Sequence, residues 1–123
     1  MMTWNIIEQK NLKSCIIPKR TRILKCDGTG RRLVVSNDGV KIGMETGVQT
    51  VQTKAITYDM IKNAYETLIG KGRFDSSDFR KKYQSEYEAG PCRYSMVGGV
   101  LVKLGVARLM SAGSNRSCYY LKI

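Results

Sequence analysis

The chain has 123 residues, with 21 Lys and Arg against 10 Asp and Glu, no histidine, and a formal net charge of +11. With 42% apolar and 25% charged residues it reads as globular rather than disordered, and no apolar run approaches the ~18 residues of a membrane span. Without histidine no Ser-His or Cys-His dyad can form, no imidazole can shuttle protons near neutral pH, and no carboxylate cluster stands out, so the expectation is a non-enzyme.

The first half reads as β-rich. Cys15-Ile16-Ile17 and Arg22-Ile23-Leu24-Lys25-Cys26 are expected strands separated by Pro18, and Asp27-Gly28-Thr29-Gly30 is an expected turn. That turn lacks the lysine and following helix of a phosphate loop, and turn chemistry accounts for each residue. Leu33-Val34-Val35-Ser36, Asn37-Asp38-Gly39 and Val40-Lys41-Ile42-Gly43 form a hairpin pattern, with Asp38-Gly39 tolerating positive φ in the turn. Gly47 to Thr53 alternates apolar and polar residues, as a strand or extended linker does. Lys19-Arg20-Thr21-Arg22 and Gly30-Arg31-Arg32 could follow a phosphate backbone or serve as charged strand edges that discourage sheet pairing. Trp4 is expected to anchor the N-terminus to the core or to a partner.

The pattern changes near Lys54, which gives a β-rich region over 1–54 and a second region over 55–123. Thr57 is an expected N-cap, with Ile61, Ala64, Tyr65, Leu68 and Ile69 at helical spacing and Gly70 and Gly72 ending the helix. Arg73-Phe74 can form a brief strand. Asp75-Ser76-Ser77-Asp78 starts a second helix with Phe79, Tyr83 and Tyr87 inward, and Gly90-Pro91 breaks it. A third helix is expected from Tyr94 to Leu104, stopped by Gly105. Strands Val106 to Met110 and Ser117 to Lys122 then flank a loop from Ser111 to Arg116.

The four cysteines, Cys15, Cys26, Cys92 and Cys118, stand alone in the sequence. Tetrahedral zinc usually draws its ligands from close pairs, so no metal and no cofactor is expected. The first residues lack the basic and apolar regions of a signal peptide. That makes a cytoplasmic setting and reduced, buried thiols the expectation.

Helix, short strand, helix, helix and hairpin, with Phe74-Asp75-Ser76-Ser77-Asp78-Phe79 opening the second helix and Leu101-x-x-Leu104-Gly105-Val106 closing the third, resembles the winged helix-turn-helix superfamily over about residues 55–123. The expected fold class is therefore α+β: a three-helix unit with a hairpin wing, after a small β-rich region. The resemblance implies double-stranded DNA as partner. It implies that the third helix, from Arg93 through Tyr94 and Ser95 to Lys103, faces the major groove. Asn115 and Arg116 would then contact DNA from the wing, and Arg80, Lys81 and Lys82 would touch phosphates.

A helical wheel tempers base readout. It places Met96, Val97, Val100, Leu101 and Leu104 toward the core and Ser95, Gly98, Gly99 and Val102 opposite, with Tyr94 and Lys103 flanking. That second face has no Arg, Asn or Gln for a bidentate base contact. The paired glycines cost about 2 kcal/mol of helix propensity, so a close approach should justify them. Tight packing on neighbouring elements, a protein or homodimer contact through Gly98, Gly99 and Val102, and approach to a nucleic-acid backbone are the three readings. The leading expectation is a small basic DNA-binding protein acting mainly through phosphates. The alternative is a winged-helix protein-interaction or dimerisation module.

Overall fold

The computed structural model describes residues 17–26, 28, 30–46, 52–89, 92–110 and 118–123. The fold is mixed α+β. Four antiparallel strands come first: β1 (Arg22–Leu24), β2 (Arg31–Asn37), β3 (Lys41–Thr46) and β4 (Gln52–Thr57), paired in the order β1-β2-β3-β4. The β2–β3 turn forms as its residues dictate: Gly39 has φ 86°, and the Asp38 carboxylate accepts from the Val40 and Lys41 amides, both at 2.9 Å. Those two hydrogen bonds hold the Asp38 carboxyl below its usual pKa range. Gly28, at φ 82°, turns the chain between β1 and β2. Of the expected strand and turn residues, Cys15, Ile16, Asp27, Thr29 and 47–51 lie outside the described residues, as does Trp4.

Strand alternation sends Ile23, Val34, Ile42, Met44 and Ile56 to one face, where each is at most 1% exposed. β4 continues four residues past the expected strand end at Thr53, because Lys54, Ala55 and Ile56 find partners in Met44, Gly43 and Ile42 of β3.

At Thr57 the strand hands over directly to helix α1 (Tyr58–Lys71), whose first turn is capped by the Thr57 hydroxyl accepting from the Met60 amide. The helix runs through Gly70 and stops at Gly72, which adopts φ 77° and donates its amide to the Leu68 carbonyl. Strand β5 (Arg73–Phe74) leads to helix α2 (Ser76–Lys82). There Asp75 and Asp78 form a reciprocal capping box.

The expected second helix is in fact two. Tyr83 leaves helical geometry at φ −126°, ψ 52°, and α3 (Gln84–Ala89) follows. The described residues of this region therefore form four helices rather than three. Aromatics at i, i+4 and i+8 drift about 80° around a straight helix. The break at Tyr83 lets both Tyr83 and Tyr87 lean on buried Phe79, with ring centroids 5.4 and 6.4 Å away.

Helix α4 (Cys92–Lys103) stops before Gly105, which has φ 78°. Strands β6 (Ala107–Met110) and β7 (Tyr119–Lys122) complete a second sheet, ordered β5-β7-β6 and antiparallel throughout. The loop between β6 and β7, residues 111–117, lies outside the described residues, as do Gly90 and Pro91.

Helix α4 lies between the two sheets, and its glycines explain how. A Cβ on Gly98 would sit 2.0 Å from the Tyr120 ring of β7, and a Cβ on Gly99 would sit 2.6 Å from the Leu24 carbonyl of β1. Tight packing is thus what the paired glycines serve. A covalent tie joins the same layers. Cys26, just after β1, and Cys118, just before β7, form a disulfide with Cα atoms 5.8 Å apart, which corrects the expectation of reduced thiols at these two positions. A sequence separation of 92 residues hid the pairing, because only the packing of both sheets on α4 brings the two ends together.

Candidate nucleic-acid interface

The site residues named from sequence divide into two groups. Arg80, Lys81 and Lys82 occupy the last turn of α2 and are exposed. Positive charge at a helix C-terminus is favourable beside the unsatisfied carbonyls. The Arg80 guanidinium rests 5.9 Å from the Tyr87 ring centroid. Lys103, at the C-terminal end of α4, is also exposed. Among the described residues, none of these four joins an ion pair.

The residues expected to face a groove from the N-terminal half of α4 behave differently, and the expectation is corrected there. Arg93 is half-buried and donates from Nε to the Ala55 carbonyl of β4 at 3.2 Å and from a terminal nitrogen to the Glu86 carbonyl of α3 at 3.4 Å. Tyr94 is 3% exposed, and its hydroxyl donates to the Cys118 carbonyl at 2.9 Å. It packs among Phe74, Phe79 and Tyr120, and burial pushes its phenol far above the usual range.

Ser95 is 5% exposed. Its hydroxyl accepts from the Cys26 amide at 3.1 Å and from the Arg32 guanidinium at 2.9 Å. Arg93, Tyr94 and Ser95 therefore spend their polar groups on internal contacts. Asn115 and Arg116 lie outside the described residues.

The same geometry removes the surface proposed for a protein or homodimer contact. Gly98 and Gly99 are buried against Tyr120 and Leu24, and Val102 is half-buried. A helix without charge through its middle tends to be buried all round. From Ser95 to Val102 the sequence has no charged residue, which was the available signal. The two-faced wheel failed because it assumed one packing partner, and the first sheet supplies a second.

Sequence reasoning missed the polar knot where the layers meet. Arg32 and Cys26 converge on Ser95, and the Tyr120 hydroxyl lies 3.6 Å from the Cys26 sulfur. Burial raises the Tyr120 pKa to about 12, against the opposing influence of Ser95 and Arg32. No single segment carries these residues, so no local pattern announces the knot.

Among the described residues no group of three or more His, Cys, Asp and Glu is placed to hold a metal ion, and no helix is long and apolar enough to cross a membrane. Comparisons with known protein families, curated proteins and solved structures return no match to this chain.

Proposed function

We propose that this chain binds double-stranded DNA, chiefly through phosphate contacts, on a winged-helix scaffold whose last helix, α4, is structural. The observation that carries the reading is the run Arg80-Lys81-Lys82, three consecutive exposed cations without ion-pair partners among the described residues, on a chain of net charge +11. Unneutralised lysine and arginine on a rigid helix end position a duplex without reading its bases. Each phosphate they neutralise releases condensed counterions and strengthens binding at low salt.

The element order α1-β5-α2-α3-α4-β6-β7 and the strand order β5-β7-β6 support the winged-helix reading. The burial of α4 argues against base readout through its middle. Weak sequence preference therefore belongs to the proposal, as does a cytoplasmic setting. Cys26 and Cys118 are each only 3% exposed, which shields their bond from soluble thiols in such a setting. No catalytic step is part of the reading.

Arg80→Ala/Lys81→Ala/Lys82→Ala tests the proposal. These side chains are exposed, so the variant should stay folded with only a small drop in melting temperature from the lost helix-end charges. Its log affinity against log salt should be shallower by about 2.7, from roughly 0.9 per phosphate contact. An unchanged slope in a folded variant refutes the assignment of these three residues.

A further inference from the structure

The second sheet has an outer face that the functional reading has not used. β7 pairs Leu121 with Arg73 on one side and Arg108 on the other, so the three side chains stand in one row on one face. Tyr119 and Met110, paired in the same ladder, share that face by alternation. Phe74, Tyr120 and Ala107 point the other way, into the core, at 1–2% exposure.

Arg73 is held rather than free. Its guanidinium carbon lies 4.0 Å from the Tyr119 ring centroid, and its Nε is 3.4 Å from an Asp75 carboxylate oxygen. Its side chain is nonetheless 48% exposed. The guanidinium thus rests over an aromatic ring and is held at Nε by a carboxylate, while the terminal nitrogens remain to present a planar donor fork. Such a fork suits a phosphate oxygen pair and loses little entropy on binding, because the side chain is already ordered.

Arg108 is exposed and joins no ion pair among the described residues. Two strand spacings place its backbone roughly 10 Å from that of Arg73, close to the axial rise of about three nucleotides along one DNA strand. Apart from Asp75, which already engages Arg73, no carboxylate is in the strands of this face.

We propose that the Arg73–Leu121–Arg108 row is a second DNA contact, in which the two arginines grip phosphates of one strand and Tyr119 acts as a positioning residue for Arg73. The inference rests on duplex binding as proposed above and adds a surface independent of α2. Charge complementarity selects the occupant: two arginines on a face otherwise made of Leu, Met and Tyr match a phosphodiester backbone better than a second copy of a chain that is itself strongly basic.

The test is fluorescence anisotropy with a labelled 20-base-pair duplex from about 50 to 200 mM salt. It compares the wild type with Arg73→Ala/Arg108→Ala, Arg73→Lys/Arg108→Lys and Arg80→Ala/Lys81→Ala/Lys82→Ala, each first shown to fold like the wild type. The double alanine variant should bind at least about tenfold more weakly at the lowest salt, with a slope shallower by about 1.8. The double lysine variant should keep the slope but lose affinity, because the planar fork is gone. Tyr119→Leu should lower affinity without altering the slope, and Tyr119→Phe should change neither.

A wild type that fails to bind at the lowest salt overturns both this inference and the proposed function. If the α2 variant loses slope and the double alanine variant matches wild type, the sheet-face contact alone falls. It also falls if polyglutamate displaces the duplex as effectively, charge for charge, as a second unlabelled duplex does, since phosphate geometry would then be irrelevant.

Discussion

Replacing Cys26 and Cys118 with alanine should show how much of the fold depends on the tie between its layers. The bond closes a loop with a sequence separation of 92 residues. Chain-entropy reasoning gives such a cross-link roughly 16 cal/mol/K of unfolded-state entropy, or about 4.6 kcal/mol at 25 °C. A domain of this size has a total stability of order 10 kcal/mol, so the loss is near half. Unfolding entropy of ~2.1 cal/mol/K per residue over 123 residues converts the loss into a melting temperature lower by about 18 °C. Both cysteines are buried against Tyr94, Ser95 and Tyr120, which adds packing loss and keeps the entropic figure from being an overestimate. The assay is a circular-dichroism melt of wild type and variant, each with and without a dithiol reductant. The reductant should lower the wild type toward the variant, leaving it higher only by the packing that the thiols retain, and leave the variant where it is. Equal melting temperatures in oxidised wild type and variant would refute the reasoning. So would alkylation of four free thiols when the protein is unfolded in denaturant without reductant.

Other consequences are equally direct. Gly99→Ala places a methyl 2.6 Å from the Leu24 carbonyl and 2.3 Å from an Ile23 methyl; overpacking should cost more than the ~1 kcal/mol of helix propensity gained, for a net loss of about 1–2 kcal/mol in urea unfolding. Gly70→Ala, with nothing within 4 Å of the new Cβ and in the last turn of α1, should instead stabilise by up to about 0.5–1 kcal/mol. A Gly99→Ala variant as stable as Gly70→Ala contradicts the close approach of α4 to β1. Tyr120, with its folded pKa raised from 10.0 to about 12, contributes stability that is fully present below pH ~10. That contribution is lost as pH rises through the folded value, by at most about 2.7 kcal/mol. Tyr120→Phe should flatten this alkaline decline in denaturant midpoint, with Tyr94 supplying what remains; an identical decline in the variant excludes Tyr120 as a cause.

Local chemistry was legible where the residues that decide a feature are neighbours in sequence. Thr57 caps α1, Asp75 and Asp78 box the start of α2, and Gly72 and Gly105 stop their helices in the left-handed region because those roles need only a few adjacent residues. What stayed hidden depends on contacts between distant segments. Gly98 and Gly99 announce a close approach, but whether the partner is internal is decided by Tyr120 and Leu24, far along the chain in both directions. Ser95 looked like a groove-facing hydroxyl until Arg32 and Cys26 took its oxygen. The break at Tyr83 escaped because its aromatic spacing suits a continuous helix until Phe79 has to serve two rings. On the proposed binding surface, Arg80, Lys81 and Lys82 were legible as cations of the second helix, but not as its end, which the break at Tyr83 creates. Arg73 and Arg108 were not legible, because only the β5-β7-β6 pairing places them in one row.

The salt dependence of duplex binding on two DNAs of unrelated sequence tests the central claim most directly. Five cations, Arg73, Arg80, Lys81, Lys82 and Arg108, acting on phosphates predict two superimposed lines of log affinity against log salt with a slope near −4.5. A shallow slope together with strong preference for one sequence would contradict the account, because it would require base readout from a helix that the fold keeps between its two sheets.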